Sequence, residues 1–352
     1  MRIAYLINHD ISKNDGVTKK ILNQISEWKK IGNEVVVFCN TINSGDSILD
    51  AKQYQAENFI KSRLKVNTKL LSDLTQFDPS LVYFRYDTWS RTFHEIQKRY
   101  KIVTELNTND LGEYFLLLKK ERNIKSLLRF LTYYFLRSKI LRNVDGIVSV
   151  TNEISNLPSV SKFNKKSISI PNSIDLIKYN IIKNKDKRRI GLFFIGTPNQ
   201  PWHGVDIIEE IAKELPEFDI HIVGINNESH ENIFYHGYLE KQEYLKVLEK
   251  CNICIGSLAL FRNNMSEACP LKVREYLAYG FPIIIGYKES AFVDLQNFPA
   301  WALKIDSNNV NVNEIKEFVL QNYNTIVKRE EIGFISTLKL EKQRVEFFKT
   351  FV

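Results

Sequence analysis

Two acidic residues, Glu267 and Glu275, flank a short basic segment in the last third of the sequence. Pro270 suits the first position of a helix, so Glu267 is predicted in the loop ahead of the helix and Glu275 inside it. Lys272 and Arg274 would occupy the first turn, where the helix dipole disfavours cations by about 0.3–1 kcal/mol. A phosphate in front of the helix, held by backbone N–H groups and by Lys272, would compensate. Because carboxylates accept hydrogen bonds from paired hydroxyls, the segment suits a nucleotide sugar, although an ordinary solvated helix start stays open.

Length and composition set the frame for this site. The chain has 352 residues, of which 44% are hydrophobic, 26% charged and 12% aromatic, which excludes a disordered protein and suggests about two domains. A net charge of +8 favours anionic partners. Four cysteines are too few for a disulfide framework and predict a reducing compartment, the cytoplasm. The longest apolar window, residues 127–141, is interrupted by basic residues, so no membrane span is predicted.

Strand-like and helical patterns alternate along the chain and restart once. Strand-like runs lie at residues 3–7, 34–39, 81–84, 102–106, 146–150 and 167–170, and again at 190–195, 220–223, 233–235, 253–257 and 282–285. The alternation predicts an α/β fold with two doubly wound, Rossmann-like domains facing each other across a cleft. We predict an N-terminal acceptor-binding domain over 1–180, a charged linker near 182–189, a C-terminal nucleotide-sugar domain over 188–335, and a last helix over 336–352.

The acidic pair resembles the signature of one enzyme family. Glu267 and Glu275 are separated by seven residues and are accompanied by PLK at 270–272 and EYLAYGFP at 275–282. In this strand, loop and helix context they resemble the retaining GT-B glycosyltransferases of glycosyltransferase family 4. Further segments resemble that family in the same order, so that the resemblance covers nearly the whole chain: DGVTKK at 15–20, GNEV at 32–35, IPNSID at 170–175, FIG at 194–196 with HGVD at 203–206, and IVG at 222–224 with FYHG at 234–237.

The resemblance implies a role for each matched position. Glu267 would hold hydroxyls of the donor sugar near the reacting carbon, and Glu275 would bind the ribose diol. Lys272 would face the diphosphate together with the backbone amides of Leu271 and Gly16. The family transfers a sugar with retention of configuration, with the leaving diphosphate taking the acceptor proton. The last helix would return to the first domain.

Two positions depart from the family pattern. The loop that begins at the donor-binding Gly196 carries no Arg, and His203 stands where a Lys is expected, so a helix-capping role for this histidine stays open. In the acceptor half, Glu105 and Asn107 replace the usual histidine region and become candidates for contact with the sugar or the acceptor, although a plain turn is also compatible. No Asp-x-Asp occurs, which argues against a metal-bridged diphosphate, and no cofactor is expected.

Residues 119–142 combine eight basic residues and one acidic residue with many apolar and aromatic ones. Such a segment suits an anionic membrane surface, although two core-packed helices with solvated basic faces explain it equally well. No nucleic-acid-binding module is present, so a nucleic-acid partner is not predicted.

The predicted function is transfer of a hexose-type sugar from a nucleotide diphosphate to a glycan or lipid-linked acceptor in surface polysaccharide synthesis, in the cytoplasm or on the inner membrane face. A catalytically silent sugar-nucleotide-binding partner subunit and a soluble protein glycosyltransferase are the alternatives.

Overall fold

The computed structural model describes residues 1–12, 15–41, 50–55, 57–183 and 189–352. The chain forms two compact units, residues 1–173 with 337–352 and residues 174–336. Residues 174–180 therefore belong to the second unit and not to the predicted N-terminal domain. The backbone N–H of Ile174 donates to the carbonyl of Ile335 at 3.0 Å, and Ile182 donates to Tyr279 at 2.9 Å. Most of the predicted linker, residues 184–188, lies outside the described residues, as do residues 13 and 14 of the loop after the first strand.

The first unit is built on a seven-stranded sheet in which every described pairing is parallel. Its strands are β1 (Arg2–Ile7), β2 (Glu34–Thr41), β3 (Ala51–Gln55), β4 (Leu81–Arg85), β5 (Ile102–Leu106), β6 (Gly146–Ser149) and β7 (Lys166–Ser169). Their order, β3-β2-β1-β4-β5-β6-β7, reverses between β1 and β4, as in a doubly wound fold. The central strands are almost entirely buried and mostly apolar, as in parallel sheets that helices cover on both faces.

Seven of the eight helices of this sheet begin at a side chain that caps the first turn. The helices are α1 (Gly16–Lys30), α2 (Phe59–Leu64), α3 (Thr68–Phe77), α4 (Arg91–Gln97), α5 (Asp110–Glu121), α6 (Ile124–Asn143), α7 (Asn152–Asn156) and α8 (Pro158–Ser161). An Asp, Asn, Ser or Thr accepts a backbone N–H at the start of α1 to α7. On α1, Ile21, Ile25 and Trp28 are buried against the sheet, as their helical spacing predicts.

The second unit carries a six-stranded parallel sheet and a separate two-stranded one. Its strands are β8 (Gly191–Ile195), β9 (Asp219–Val223), β10 (Ile233–Tyr235), β11 (Ile253–Ile255), β12 (Glu267–Ala268), β13 (Ile283–Ile285), β14 (Lys288–Glu289) and β15 (Ala302–Lys304). The larger sheet has the order β10-β9-β8-β11-β13-β15, which reverses between β8 and β11. Its helices are α9 (Val205–Glu214), α10 (Lys241–Leu248), α11 (Leu271–Ala278) and α12 (Val312–Asn322).

The final helix, α13 (Thr337–Lys349), belongs to the first unit. It contributes Leu340, Val345, Phe347 and Phe348 to the same buried cluster as β1 and α1. Among the described residues, no helix is both long and apolar enough to cross a membrane.

Candidate functional site

Glycines follow five of the six strands of the larger sheet in the second unit. They are Gly196 after β8, Gly224 after β9, Gly237 after β10, Gly256 after β11 and Gly286 after β13. A Cβ at Gly224 would lie 2.1 Å from the carbonyl oxygen of Gly196, and one at Gly286 would lie 2.3 Å from that of Leu258. Side chains are excluded there because the loops pack backbone against backbone. These glycines lie at the carboxyl edge of the sheet, where doubly wound folds bind ligands.

The helices α9 and α11 begin beside the two strands at which the strand order reverses, and neither has a side-chain cap. Their N-cap residues are Gly204 and Pro270, which offer no side-chain acceptor to the first turn. We had predicted Pro270 as the first residue of the helix. Its backbone is extended, with φ −68° and ψ 141°, so it precedes the helix instead. Leu271 takes that first position. The start of α11 therefore presents N–H donors and positive partial charge, which suits an anion, whereas at the start of α9 the carboxylate of Asp206 already accepts backbone N–H groups of the first turn.

Lys272 of α11 reaches across to the carboxyl end of β8. Its Nζ donates to the carbonyl oxygen of Ile195 at 3.0 Å and lies 4.1 Å from the centre of the Phe194 ring. Burial lowers the pKa of Lys272 to about 7. Among the described residues, no carboxylate forms an ion pair with Lys272, so its ammonium form has no counter-charge in the protein.

His203 and Gly196 lie at the same corner as Lys272. A Cβ at Gly196 would lie 2.7 Å from Nδ1 of His203, and this nitrogen has no hydrogen-bond partner among the described residues. Burial, and secondarily the nearby Lys272, lowers the pKa of His203 to about 3. The imidazole is therefore neutral, and it does not supply the positive charge of the lysine that it replaces in the family pattern. The structure brings Gly196, His203 and Lys272 together. The contact between the Lys272 ammonium and the Phe194 ring was not predicted from the sequence.

Arg274 has a different partner from the one that the sequence suggested. Its Nη2 lies 2.6 Å from Oε1 of Glu289, and both side chains are fully buried. Although burial opposes it, this ion pair raises the pKa of Arg274. The charge of Arg274 is thus balanced within the protein, and only Lys272 needs an external anion.

Glu275 lies in the second turn of α11 between two tyrosines. Its two carboxylate oxygens accept hydrogen bonds from Tyr179 at 3.1 Å and Tyr244 at 3.4 Å. Lys241 stacks on the ring of Tyr179 at 4.9 Å. The carboxylate is therefore oriented and retains acceptor capacity for a diol. Tyr179 is 96 positions away along the chain, and no local pattern in the sequence could reveal it.

Glu267 is placed by the small sheet ahead of α11. It lies on β12, which pairs with β14 in the register Glu267 with Lys288, and its side chain is buried. Lys288 also donates its backbone N–H to the carbonyl of Ser266 at 2.8 Å. The loop position that we predicted for Glu267 is thus a short strand that fixes its backbone before the helix begins.

In the first unit, Gly16 is the first residue of α1 and is exposed. Asp15 caps this helix by accepting the N–H of Thr18 at 2.8 Å, and it also lies 3.0 Å from Nε2 of His9. The helix start is therefore already partly neutralised by a carboxylate of the chain itself. Its remaining exposed donors include the amide that the resemblance assigns to the diphosphate.

Glu105 is not available for contact with a sugar. It is fully buried, and its carboxylate lies 3.0 Å from Lys20, 3.1 Å from Arg344 and 3.3 Å from Arg85. Burial would raise its pKa, but these cations outweigh burial and hold the pKa far below its usual value. Asn107 is half-buried and accepts a hydrogen bond from Lys20 at 2.7 Å, so it remains a candidate that the network positions.

Metal-binding groups do not cluster in the part of the chain that the structure describes. No set of three or more His, Cys, Asp or Glu side chains converges there. Cys251 and Cys254, whose spacing resembles half of a zinc site, are buried thiols near the start of β11.

Comparisons with known proteins extend over the whole chain. No protein-family model matches the sequence, and no curated protein matches it significantly. Solved structures do match: sucrose-phosphate synthase from Thermosynechococcus elongatus is 14% identical, with a TM-score of 0.71 and coverage of 99% of this chain and 98% of that one. The two units together have the GT-B fold. A lipopolysaccharide outer core galactosyltransferase has a TM-score of 0.66 at 12% identity, covering 99% of this chain and 100% of its own. An α-glucosyltransferase in complex with UDP-glucose and DNA has a TM-score of 0.66 at 14% identity, covering 99% and 98%. The predicted fold class is confirmed, and in the GT-B fold the site at Lys272 lies in the second Rossmann-like unit.

Proposed function

We propose that this chain is a retaining glycosyltransferase of the family 4 type that takes its sugar from a nucleoside diphosphate, with UDP-sugars as the first candidates. The observation that carries the proposal is the partly buried ammonium of Lys272, which has no carboxylate partner among the described residues and lies beside Gly196 at the uncapped start of α11. A diphosphate would supply the missing counter-charge and accept the free backbone N–H groups. The proposal is supported by three structural neighbours, a sucrose-phosphate synthase, a galactosyltransferase and an α-glucosyltransferase, the last of which is bound to UDP-glucose.

Each remaining residue has one task in this proposal. Glu275, held by its two tyrosines, accepts the ribose diol, and Glu267 holds hydroxyls of the donor sugar. His203 is neutral and offers a hydrogen bond to a phosphate oxygen from Nδ1 in the appropriate tautomer. The charge that stabilises the leaving group comes from Lys272 and the helix starts.

The proposed reaction needs no side chain as a general base. The bond between the anomeric carbon and the diphosphate oxygen breaks, and the acceptor oxygen bonds to the same face of that carbon. The acceptor proton moves to the departing phosphate oxygen, which accounts for retention of configuration. We propose a hydroxyl of a glycan or lipid-linked glycan as the acceptor, with Asn107 as a group that orients it.

A catalytically silent subunit that only binds sugar nucleotides is the second candidate. It is favoured by the neutrality of His203, because leaving-group stabilisation then depends on one lysine. Turnover separates the two candidates. We expect purified protein to release UDP from UDP-glucose or UDP-galactose, with or without EDTA. Saturable binding of these donors without any release, across a panel of glycan acceptors, would establish the silent subunit instead.

Lys272→Met tests the diphosphate site directly. At about 100 times its dissociation constant, UDP should stabilise the wild-type protein by about 2.7 kcal/mol in a thermal-shift assay. The variant removes a charged hydrogen bond worth about 1.5–3 kcal/mol, so UDP should bind about 10- to 150-fold more weakly. Lys213→Met, an exposed lysine of α9, is the matched control and should bind UDP like the wild type. Equal UDP affinity in the two variants would contradict the proposal.

A further inference from the structure

The first three turns of helix α6 expose a row of apolar side chains. Ile124, Leu128 and Phe135 are 78%, 59% and 66% exposed, and Leu127 and Leu131 are exposed as well. Residues spaced by three, four, seven and eleven positions share one side of a helix, so these five form a single stripe. Isolated exposed apolar residues are ordinary, whereas a contiguous stripe marks an interaction surface.

The inward face of α6 explains why the stripe cannot turn into the core. Arg137 is buried and forms a two-pronged ion pair with Asp110, at 2.7 Å from Nε and 3.0 Å from Nη2. Tyr133 donates to the same carboxylate at 2.5 Å, and Ser126 is also buried. Rotating the helix would leave Asp110 and Arg137 without each other, at a large cost in stability. The alternative left open by the sequence, two core-packed helices with solvated basic faces, accounts for the buried Ile140 and Leu141 and the exposed cations but not for the exposed apolar stripe.

Helix α5 extends the same surface. Phe115 and Leu117 of α5 are exposed, and the Phe115 ring lies 5.8 Å from that of Phe130 on α6. Asn123 joins the two helices by a capping box with Ser126, which fixes the tight turn. We define the α5–α6 face as residues 115–135 of this helical pair.

Cations surround the α5–α6 face. Residues 119–142 hold eight basic residues and one acidic residue, a surplus of seven in a chain whose net charge is +8. The exposed cations are Lys119, Arg122, Lys125, Arg129, Lys139 and Arg142. We propose that the α5–α6 face docks on the surface of an anionic lipid bilayer, with the apolar stripe inserted at the boundary between headgroups and acyl chains and the cations among the headgroups.

Charge and the arrangement of the apolar side chains favour a bilayer over a second copy of the chain or a nucleic acid as the partner of this face. A second copy on a two-fold axis would bring this basic surface against itself, and like charges would oppose the contact. Nucleic acid would require cations at the centre of the contact, with aromatic side chains stacking on bases. Here the centre is mainly aliphatic and the cations lie beside it. An amphipathic helix with a basic flank and an apolar stripe instead matches an interfacial, membrane-bound helix.

Vesicle flotation of the full-length protein tests this surface. We expect the protein to float with phosphatidylcholine vesicles that contain about one third phosphatidylglycerol, and to float poorly with phosphatidylcholine alone. Lys125→Gln with Arg129→Gln should weaken the partition about 25-fold, since each cation near the surface is worth about fivefold. Leu128→Ser with Phe135→Ser should weaken it about tenfold or more, because apolar area no longer leaves water.

Matched controls separate the surface from general changes in charge or hydropathy. Leu338→Ser, at a leucine that is 63% exposed on α13, and Lys213→Gln on α9 should float like the wild type. All variants should keep the wild-type thermal shift with UDP, so failure here is distinguishable from failure of the diphosphate site. Absence of flotation with anionic vesicles, or equal flotation of the stripe variants, would overturn the proposal. So would a dimer, or a complex with duplex DNA, that is lost in the stripe variants while vesicle binding is absent.

Discussion

At the scale of single residues, the central feature is a lysine whose charged form is destabilised by burial and has no carboxylate partner among the described residues. Lys272 keeps a backbone carbonyl and an aromatic ring as neighbours, and burial brings its pKa to about 7. Protein interiors usually pair such a group, and Arg274, two positions later, is paired with Glu289. The contrast separates a cation that is balanced within the fold, Arg274, from the cation that we propose binds an anion, Lys272.

The pKa of Lys272 predicts a pH dependence of stability in the ligand-free protein. The unfolded state holds this proton up to about pH 10.5, whereas the folded state loses it near pH 7. Between those values the unfolded state binds more protons, so this group makes the protein more stable as pH rises, by up to about 1.4 kcal/mol per pH unit. Comparing wild type with Lys272→Met in urea at pH 7 and pH 9 measures the effect. The same pH dependence in both proteins would contradict it.

At the scale of elements, α11 is joined to two strands of the second unit by side-chain contacts. The buried pair Arg274 and Glu289 joins α11 to β14, and β14 in turn pairs with β12, which carries Glu267. Tyr276 adds a contact to β8, since its hydroxyl accepts the N–H of Ile195 at 3.0 Å. The helix start that faces the proposed diphosphate is therefore fixed from two directions before any ligand binds.

Breaking the Arg274–Glu289 pair should be costly because it leaves a charge buried alone. We expect Arg274→Met to lower the free energy of unfolding by about 3–5 kcal/mol. Arg274→Met combined with Glu289→Met removes both charges and should recover much of that loss. Urea titration measures both, with Arg262→Met as the control. Arg262 pairs with Asp206 at the surface, so this variant should change stability by less than about 1 kcal/mol. A double variant no more stable than the single one would argue against this account.

At the scale of the whole molecule, the first unit is closed by the far end of the chain. Trp28 donates to Glu341 at 2.9 Å across 313 positions, and Arg344 lies 2.7 Å from the hydroxyl of Tyr83 and 3.1 Å from Glu105. The central strands β4 and β5 and helix α1 therefore depend on α13 for both apolar contact and charge balance. This is why a carboxylate can be buried in the middle of the sheet.

Truncating one aromatic side chain of α13 tests that closure. Phe348 is fully buried, with its ring 5.4 Å from Trp28 and 4.9 Å from Tyr83. Phe348→Ala should lower the stability of the first unit by about 3–5 kcal/mol, as expected for a large cavity. Calorimetry should show the loss, whereas Leu338→Ala on the exposed side of the same helix should stay within about 0.5 kcal/mol of wild type. Comparable losses in the two variants would rule out the packing role of Phe348.

Local pattern was sufficient wherever a residue's neighbours in the chain set its structure. The runs at 102–106 and 233–235 are strands with the predicted bounds, and the run at 3–7 differs from β1 by one residue, because mostly apolar runs between polar loops have few other solutions. The helix after Pro270 formed within one residue of its predicted bounds, and the glycines marked the ends of the strands. Strands β3 and β15 and the pair β12 and β14 were missed, since short strands carry a weak signal.

The sequence by itself determined the α/β class, the doubly wound repeats and the position of Glu267, Lys272 and Glu275 around one helix start. Only the tertiary structure decided which charges are already balanced. Glu105 was removed from the candidate site by cations from distant segments, Arg274 is balanced by Glu289, and His203 proved neutral because it is buried. The physical reason is that desolvation and ion pairing depend on neighbours in space, and those neighbours come from segments up to hundreds of positions apart.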